Sequence, residues 1–283
     1  MMKKPSWLKM AGIHAGLSVM CMVTLYPVLW VVKMALSPVD GMSLTANPFP
    51  DAVTFDHFRE VLWSSDAQGR WVFGRQLMAS LIVGGATTVV GLGLAVTAAY
   101  ALSRFRFPGK EGGMQALLIT QMFPATLMLV PIYGILQKLG LLDSLTGLVL
   151  VYATTSLPFC IWMLKGYFDT LPRELEEAAV MDGASPFQVF IHVVLPLARP
   201  ALAVTALFSF MTAWNEFVLA ATLINDPTRF TLPVALQRYV GEYKVEWGKF
   251  AACALVVSAP VMALFFALQK HLVGGLTAGG VKG

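Results

Sequence analysis

Charge is scarce in this sequence. Only 13% of its 283 residues are Asp, Glu, Lys or Arg, while 57% are hydrophobic. A typical soluble domain carries about 25% charged residues. Cysteine is nearly absent. Cys21, Cys160 and Cys253 lie far apart in apolar runs, with no CxxC and no metal-ligand spacing, so they read as small buried apolar residues. The four histidines, His14, His57, His192 and His271, are scattered, which argues against a clustered catalytic site of a membrane enzyme. The net charge of +4 is modest, and neither a basic nucleic-acid arm nor an acidic tail is present. Tandem repeats and low-complexity tracts are also missing. The glycine-rich end spaces Gly275 and Gly280 like a phosphate loop. But Val281 stands before Lys282, and no Ser or Thr follows that lysine. Nucleotide binding by this chain is therefore not expected, and no cofactor or metal is either.

Long apolar runs are abundant. A mean hydropathy of +0.69 suits a chain whose main solvent is lipid. Crossing the hydrocarbon core takes about 20 apolar residues as a helix. Runs of that kind lie at 10–32, 76–103, 112–137, 144–164, 200–225 and 250–269. They predict an all-α polytopic membrane protein with six transmembrane helices and a single domain over residues 1–283. The first run follows Lys3, Lys4 and Lys9 but exceeds the roughly 7–15 residues of a signal-peptide core, so it reads as a retained span. Six spans place both termini on one side. Lys and Arg in the loops divide 11 to 9 in favour of a cytoplasmic N-terminus. The basic N-terminus and the loop RFRFPGK at 104–110 carry that bias most clearly. The long segment 34–75 then becomes an external loop, with room for a small folded piece.

Prolines fall inside several spans, at Pro27, Pro124, Pro131, Pro158 and Pro260. They read either as ordinary membrane-helix prolines or as bends lining a cavity. Gly93, Thr97 and Ala101 repeat every four residues, a spacing that permits close helix packing. Glu216 interrupts the fifth run beside Trp214 and Asn215. An acid in a span faces protein or water. Glu216 reads either as part of a substrate path, with Trp214 stacking on a sugar and Asn215 bonding hydroxyls, or as a structural bond to a neighbouring helix. Gln121, Tyr133, Thr154, Thr155 and Ser156 are further path candidates.

Against this background, residues 174–187, ELEEAAVMDGASPF, are unusual: four acids fall within one short stretch. Pro172 can open a helix, and Glu174, Glu176 and Glu177 suit its positive first turn. Gly183 reads as the stop. Ser185 and Pro186 read as the cap and first residue of a second short helix, expected to end before Leu195-Pro196. The loop 172–195 is thus predicted as helix, turn, helix on the cytoplasmic side. Its alanines offer a close-approach surface. With Arg173 as the one nearby base, its acids await counter-charges elsewhere.

The same stretch resembles the EAA motif of the permease subunits of ATP-binding-cassette (ABC) importers. Phe168 leads, Glu177-Ala178-Ala179 follow, then Gly183-Ala184, Phe190 and Leu195-Pro196. YALSRFRFPGK at 100–110, QMFPATLMLVPIY at 121–133 and HLVGGLTAGGVKG at 271–283 are similar to the binding-protein-dependent sugar permeases, in particular the maltose/maltodextrin (MalG-like) group. TAWNEFVLAATLI at 212–224 follows the general sugar-permease pattern instead, and segment 34–75 matches poorly apart from FDHFREVL at 55–62. The resemblance implies the type I importer (MetI-like) permease fold with a cytoplasmic coupling helix. It implies ATPase-coupling roles for Glu177, Ala178, Ala179, Asp182, Gly183, Ala184 and Pro196, with Glu177 pairing with a base on the partner. The implied partners are a second, MalF-like permease, two MalK-like ATP-binding subunits and an extracytoplasmic sugar-binding protein. ATP would be bound and hydrolysed by those partner subunits. The C-terminal residues 275–283 would reach between the two ATPases. The implied location is the bacterial cytoplasmic (inner) membrane. The implied cargo is maltose, maltodextrin or a related oligosaccharide, with trehalose or another glycoside as the alternative. An ion-coupled secondary transporter is a distant rival, since one intramembrane acid and no evident repeat argue against it.

Overall fold

The computed structural model describes residues 7–39, 41, 47–241 and 245–279. Among the described residues the regular structure is helical, apart from two isolated bridges, Ser65 with Trp71 and Val240 with Val245. The helices are α1 (Trp7–Leu36), α2 (Asp56–Leu62), α3 (Val72–Arg104), α4 (Lys110–Met122), α5 (Leu129–Lys138) and α6 (Leu145–Thr170). Then come α7 (Glu174–Met181), α8 (Pro186–Val189), a π turn (Phe190–Val194), α9 (Leu195–Leu197) and α10 (Arg199–Asn215). The chain closes with α11 (Val218–Leu223), α12 (Leu232–Gln237) and α13 (Trp247–Gly279). Residues 280–283 of the expected C-terminal arm lie outside the described residues, as do Lys3 and Lys4 of the basic N-terminus.

Among the described residues, four helices are long and apolar enough to cross a membrane: α1, α3, α6 and Trp247–Gln269 of α13. Two bent pairs raise the number to six if each is one span: Lys110–Met122 with Thr126–Lys138, and Pro186–Leu197 with Arg199–Asn215. The run read as one span at 200–225 is therefore two helices. α10 stops at Asn215, Glu216 adopts an extended backbone, and α11 starts at Val218.

The chain divides into two compact units, Met1–Gly74 with Leu236–Ala259, and Arg75–Ala235 with Pro260–Gly283. In the first, α2 lies within segment 34–75. His57 Nε2 meets the Ser37 carbonyl at 2.9 Å, and Lys249 bridges Glu60 at 2.8 Å. A side chain at Gly248 would collide with the His57 ring, so glycine permits that close approach. Cys21 is exposed on α1, contrary to the buried role expected of all three cysteines. Cys253 in this unit and Cys160 in the other are buried.

The second unit is organised around α6. One end of α6 packs Leu148, Val151 and Tyr152 with Val83, Leu136, Leu219 and Leu223. The other end packs Cys160, Leu164 and Phe168 with Ala95, Ala99, Val189 and Val194. Lipid tails are as apolar as leucine, so close packing and hydrogen bonds hold such helices together. Small residues allow the approach. Thr87, Gly91, Ala95, Ala99 and Ser103 form a buried row on α3 at four-residue spacing. This corrects the sequence reading. Gly93 and Thr97 are exposed, because a shift of two residues turns a helix by about 200°. Both rows have the same spacing, and spacing alone does not say which faces inward.

Candidate functional site

The 172–198 segment is shaped by local chemistry at three points. α7 carries Glu174, Glu176 and Glu177 in its first turn, where carboxylates complement the helix dipole. It ends in a Schellman motif. The Ala184 amide donates to the Ala179 carbonyl at 3.0 Å and the Gly183 amide to the Val180 carbonyl at 2.9 Å. Gly183 sits at φ +90°, a conformation in which a Cβ is strained. Ser185 and Gln188 then form a reciprocal capping box, with Pro186 as the first residue of α8. The second helix does not stop before Leu195-Pro196, as expected. It continues through the π turn, in which the Leu195 amide donates to the Phe190 carbonyl, and runs to Leu197. The wider turn shifts the register just before Pro196, whose missing N–H would break a regular α ladder.

The segment has two faces. Ala179 and Ala184 pack inward on the cluster around Phe168. Of the three expected coupling alanines, Ala178, Ala179 and Ala184, only Ala178 is exposed. Glu176 also faces inward, where its carboxylate meets the Arg104 guanidinium at 2.6 Å. This corrects the view that all four acids await partners elsewhere. Glu177, Asp182 and Gly183 are exposed, and the Glu177 carboxylate makes no hydrogen bond or ion pair with any described residue. Around them lie Met181, 87% exposed, and Phe187, 73% exposed, with Leu175 and Val180 also uncovered. The sequence reading attended to charge and missed this apolar surface. Its signal was Met181 and Phe187 on either side of the turn, a position where a merely solvated loop has no use for them.

The path candidates separate. Gln121, Thr154 and Thr155 line one cavity of about 820 Å³, and Gln121 Nε2 donates to the Thr155 carbonyl at 3.2 Å. Pro131 and Pro158 stand on the same wall, with Phe123, Met128 and Ile132. Tyr133 does not line that cavity. Ser156 is buried and bonds the Ala153 carbonyl. Trp214 is 2% exposed and stacks on Phe210, with centroids 5.2 Å apart. Its indole face is occupied by helix packing and is not presented to a sugar. Asn215 is exposed, and its amide donates to the Met211 carbonyl.

Glu216 has a structural duty. Its carboxylate accepts from the Tyr152 hydroxyl at 2.6 Å and from the amides of Leu219 and Ala220 at 2.9 and 3.1 Å. Two of the first amides of α11 thereby find an acceptor, which a helix start otherwise lacks. The acid lets a span break without leaving donors unpaired, an expensive fault inside a membrane.

Comparison with known proteins decides the lineage. Residues 75–277 match the binding-protein-dependent transport system inner membrane component family. The chain belongs to that family. Among relatives of this permease is the maltose/maltodextrin transport system permease MalG of Salmonella typhimurium, 36% identical over 99% of the chain and 98% of the relative. The trehalose transport system permease SugB of Mycobacterium tuberculosis is 37% identical, over 92% and 93%. A chain from the crystal structure of a bacterial ABC transporter involved in alginate import superposes with a TM-score of 0.77. It is 24% identical and covers 95% of this chain and 99% of its own. That likeness shows the shared ABC importer permease fold. The permease is thus an inner-membrane transport subunit of the MalG-like group, and the ion-coupled alternative falls away.

Proposed function

We propose that the chain is one of two permeases in an ATP-driven importer of maltose, maltodextrins or a related oligosaccharide. An external binding protein would deliver the sugar. The sugar would pass between this chain and a second permease, while two ATP-binding subunits alternately close and separate. Their nucleotide-dependent affinity for each other would drive alternating access. Both termini would be cytoplasmic, and residues 275–283 would reach the ATPase pair.

The observation that carries this reading is the outer face of 172–198. A rigid turn presents an unpaired Glu177 amid exposed Met181, Phe187 and Ala178. A basic, partly apolar cleft on a soluble subunit fits that surface, and Glu177 would fix its register. The cargo rests on the relatives. A maltodextrin permease and a trehalose permease match at nearly equal identity, and both transport glucose-based sugars. Gln121, Thr154 and Thr155 would supply the polar contacts on this chain's share of the path, and the sister permease would cover the apolar remainder of the cavity.

The test is reconstitution of the permease with its sister permease, ATP-binding subunits and binding protein in liposomes. Maltose-loaded binding protein should stimulate ATP hydrolysis and sugar uptake together. Stimulation by trehalose alone would reassign the cargo and leave the coupling role standing. No stimulation by any loaded binding protein would sink the proposal.

A further inference from the structure

Glu176 lies beside the motif glutamate, yet it points the other way. Its two carboxylate oxygens are held by one helix: Oε1 by Arg104 Nε at 2.6 Å and Oε2 by the Tyr100 hydroxyl at 3.0 Å. Both donors sit on the last turns of α3. The Arg104 and Glu176 side chains are only 8% and 15% exposed. Other bonds extend the grip. Arg104 Nη2 donates to the Leu171 carbonyl, and Ser103, its neighbour, donates to Asp169 at 2.6 Å. The Tyr100 ring packs against Phe168 of α6 and Phe190 of the π turn. The end of α3 is therefore fastened to α6, to α7 and to the helix that follows the turn.

An exposed ion pair contributes little, because water competes and both side chains must be ordered. This one is different. Burial makes loss of either partner costly, because the other charge is left without compensation. The guanidinium is also satisfied on three sides, which fixes its orientation as well as its charge. We propose that Arg104, Glu176 and Tyr100 form a clasp that passes motion of the 172–198 segment directly into α3. Glu176 is then a positioning residue. Glu177 meets the partner, and Glu176 ties the element that meets it to a membrane helix. Movement imposed on α7 would shift α3 with it, rather than being absorbed by bending at residues 171–173. This inference rests on the coupling role proposed above.

The test uses the whole reconstituted transporter. Three quantities are read: yield of the intact complex, ATP hydrolysis, and sugar accumulated per ATP consumed. The sugar is radiolabelled maltose or trehalose, whichever the wild-type complex accumulates. Glu176→Gln should leave the complex intact and hydrolysing, while sugar per ATP falls about fivefold or more. Arg104→Lys keeps the charge but loses the fork, and should fall less. Tyr100→Phe removes one hydroxyl and no ring, so it provides a fold-preserving second variant. It should lower the same ratio in the same direction. A merely structural role would reduce yield and hydrolysis together and leave sugar per ATP unchanged. An unchanged ratio in Glu176→Gln, or in Tyr100→Phe should the first not assemble, overturns the clasp. If the wild-type complex itself shows no sugar-dependent hydrolysis, the coupling role fails instead, so the two failures are distinguishable.

Discussion

Two of the breaks between helices of the second unit have a glutamate close by. At 182–185, between α7 and α8, the backbone completes itself. A Schellman motif closes one helix and a Ser185–Gln188 capping box opens the next. At 216–217, between α10 and α11, a side chain does that work, with Glu216 holding two amides and the Tyr152 hydroxyl. The difference decides what each acid is free to do. Glu177 beside the first break is uncommitted and exposed. Glu216 is consumed by the second break. A glutamate near a helix break is thus a candidate for partner contact only where the turn does not need it.

That contrast is most severely tested at Glu216. Glu216→Ala strands three donors, and an unpaired buried donor costs about 1–3 kcal/mol. A loss on the order of 3 kcal/mol or more is expected for Glu216→Ala, read as a lowered melting temperature and yield in detergent. Glu216→Gln, which keeps one acceptor oxygen, should fall between. A Glu216→Ala protein with normal stability but impaired sugar uptake would reverse the assignment and return the residue to the transport path.

What the sequence made legible follows the same division. Turn chemistry is local, so Gly183, Ser185 and Pro186 announced their roles in order. Lipid-spanning length is also local, and the apolar runs stood out from their composition. Orientation of a helix about its axis is not local. The rows 87–91–95–99 and 93–97–101 look alike until α6 and α10 select one. The pairing of Glu176 with Arg104 spans 72 residues and leaves no spacing signal. Trp214 left two readings open, a sugar platform or a neighbour in a structural bonding site. Its burial against Phe210 depends on the fold. Proline at 196 misled for a subtler reason, since a π turn let the helix pass through it.

The first break should respond more mildly. Gly183→Ala meets no neighbouring atom, so its penalty is purely conformational. A non-glycine residue at φ +90° is expected to cost roughly 1–2 kcal/mol. The readout is faster amide exchange at residues 182–185 and weaker coupling in the assembled transporter. A bulkier residue, as in Gly183→Val, should still allow assembly but uncouple hydrolysis from uptake. Unchanged transport would remove Gly183 from the coupling mechanism. Ser185→Ala should cost about 1 kcal/mol, the usual value of a lost N-cap. Its effect should appear as fraying confined to α8. A global loss of stability would mean that the capping box holds more than its own helix.

The smallest effect on stability belongs to the other side of the comparison. The Glu177 side chain makes no hydrogen bond or ion pair with any described residue. Substitution at such a surface position usually changes stability by no more than about 0.5 kcal/mol. Glu177→Gln should therefore leave the melting temperature of the isolated permease unmoved. In the assembled transporter it should weaken capture of the ATP-binding subunits, and raised salt should mimic the loss, because an ion pair at an accessible interface is screened. Glu176→Gln supplies the control one residue away. It should weaken the isolated chain, and its effect should depend less on salt because its partner is buried. If the two substitutions behave alike in both assays, α7 does not have an inner and an outer acid. If they separate, adjacent glutamates on one short helix divide the work, one holding the helix to α3 and the other engaging a second protein.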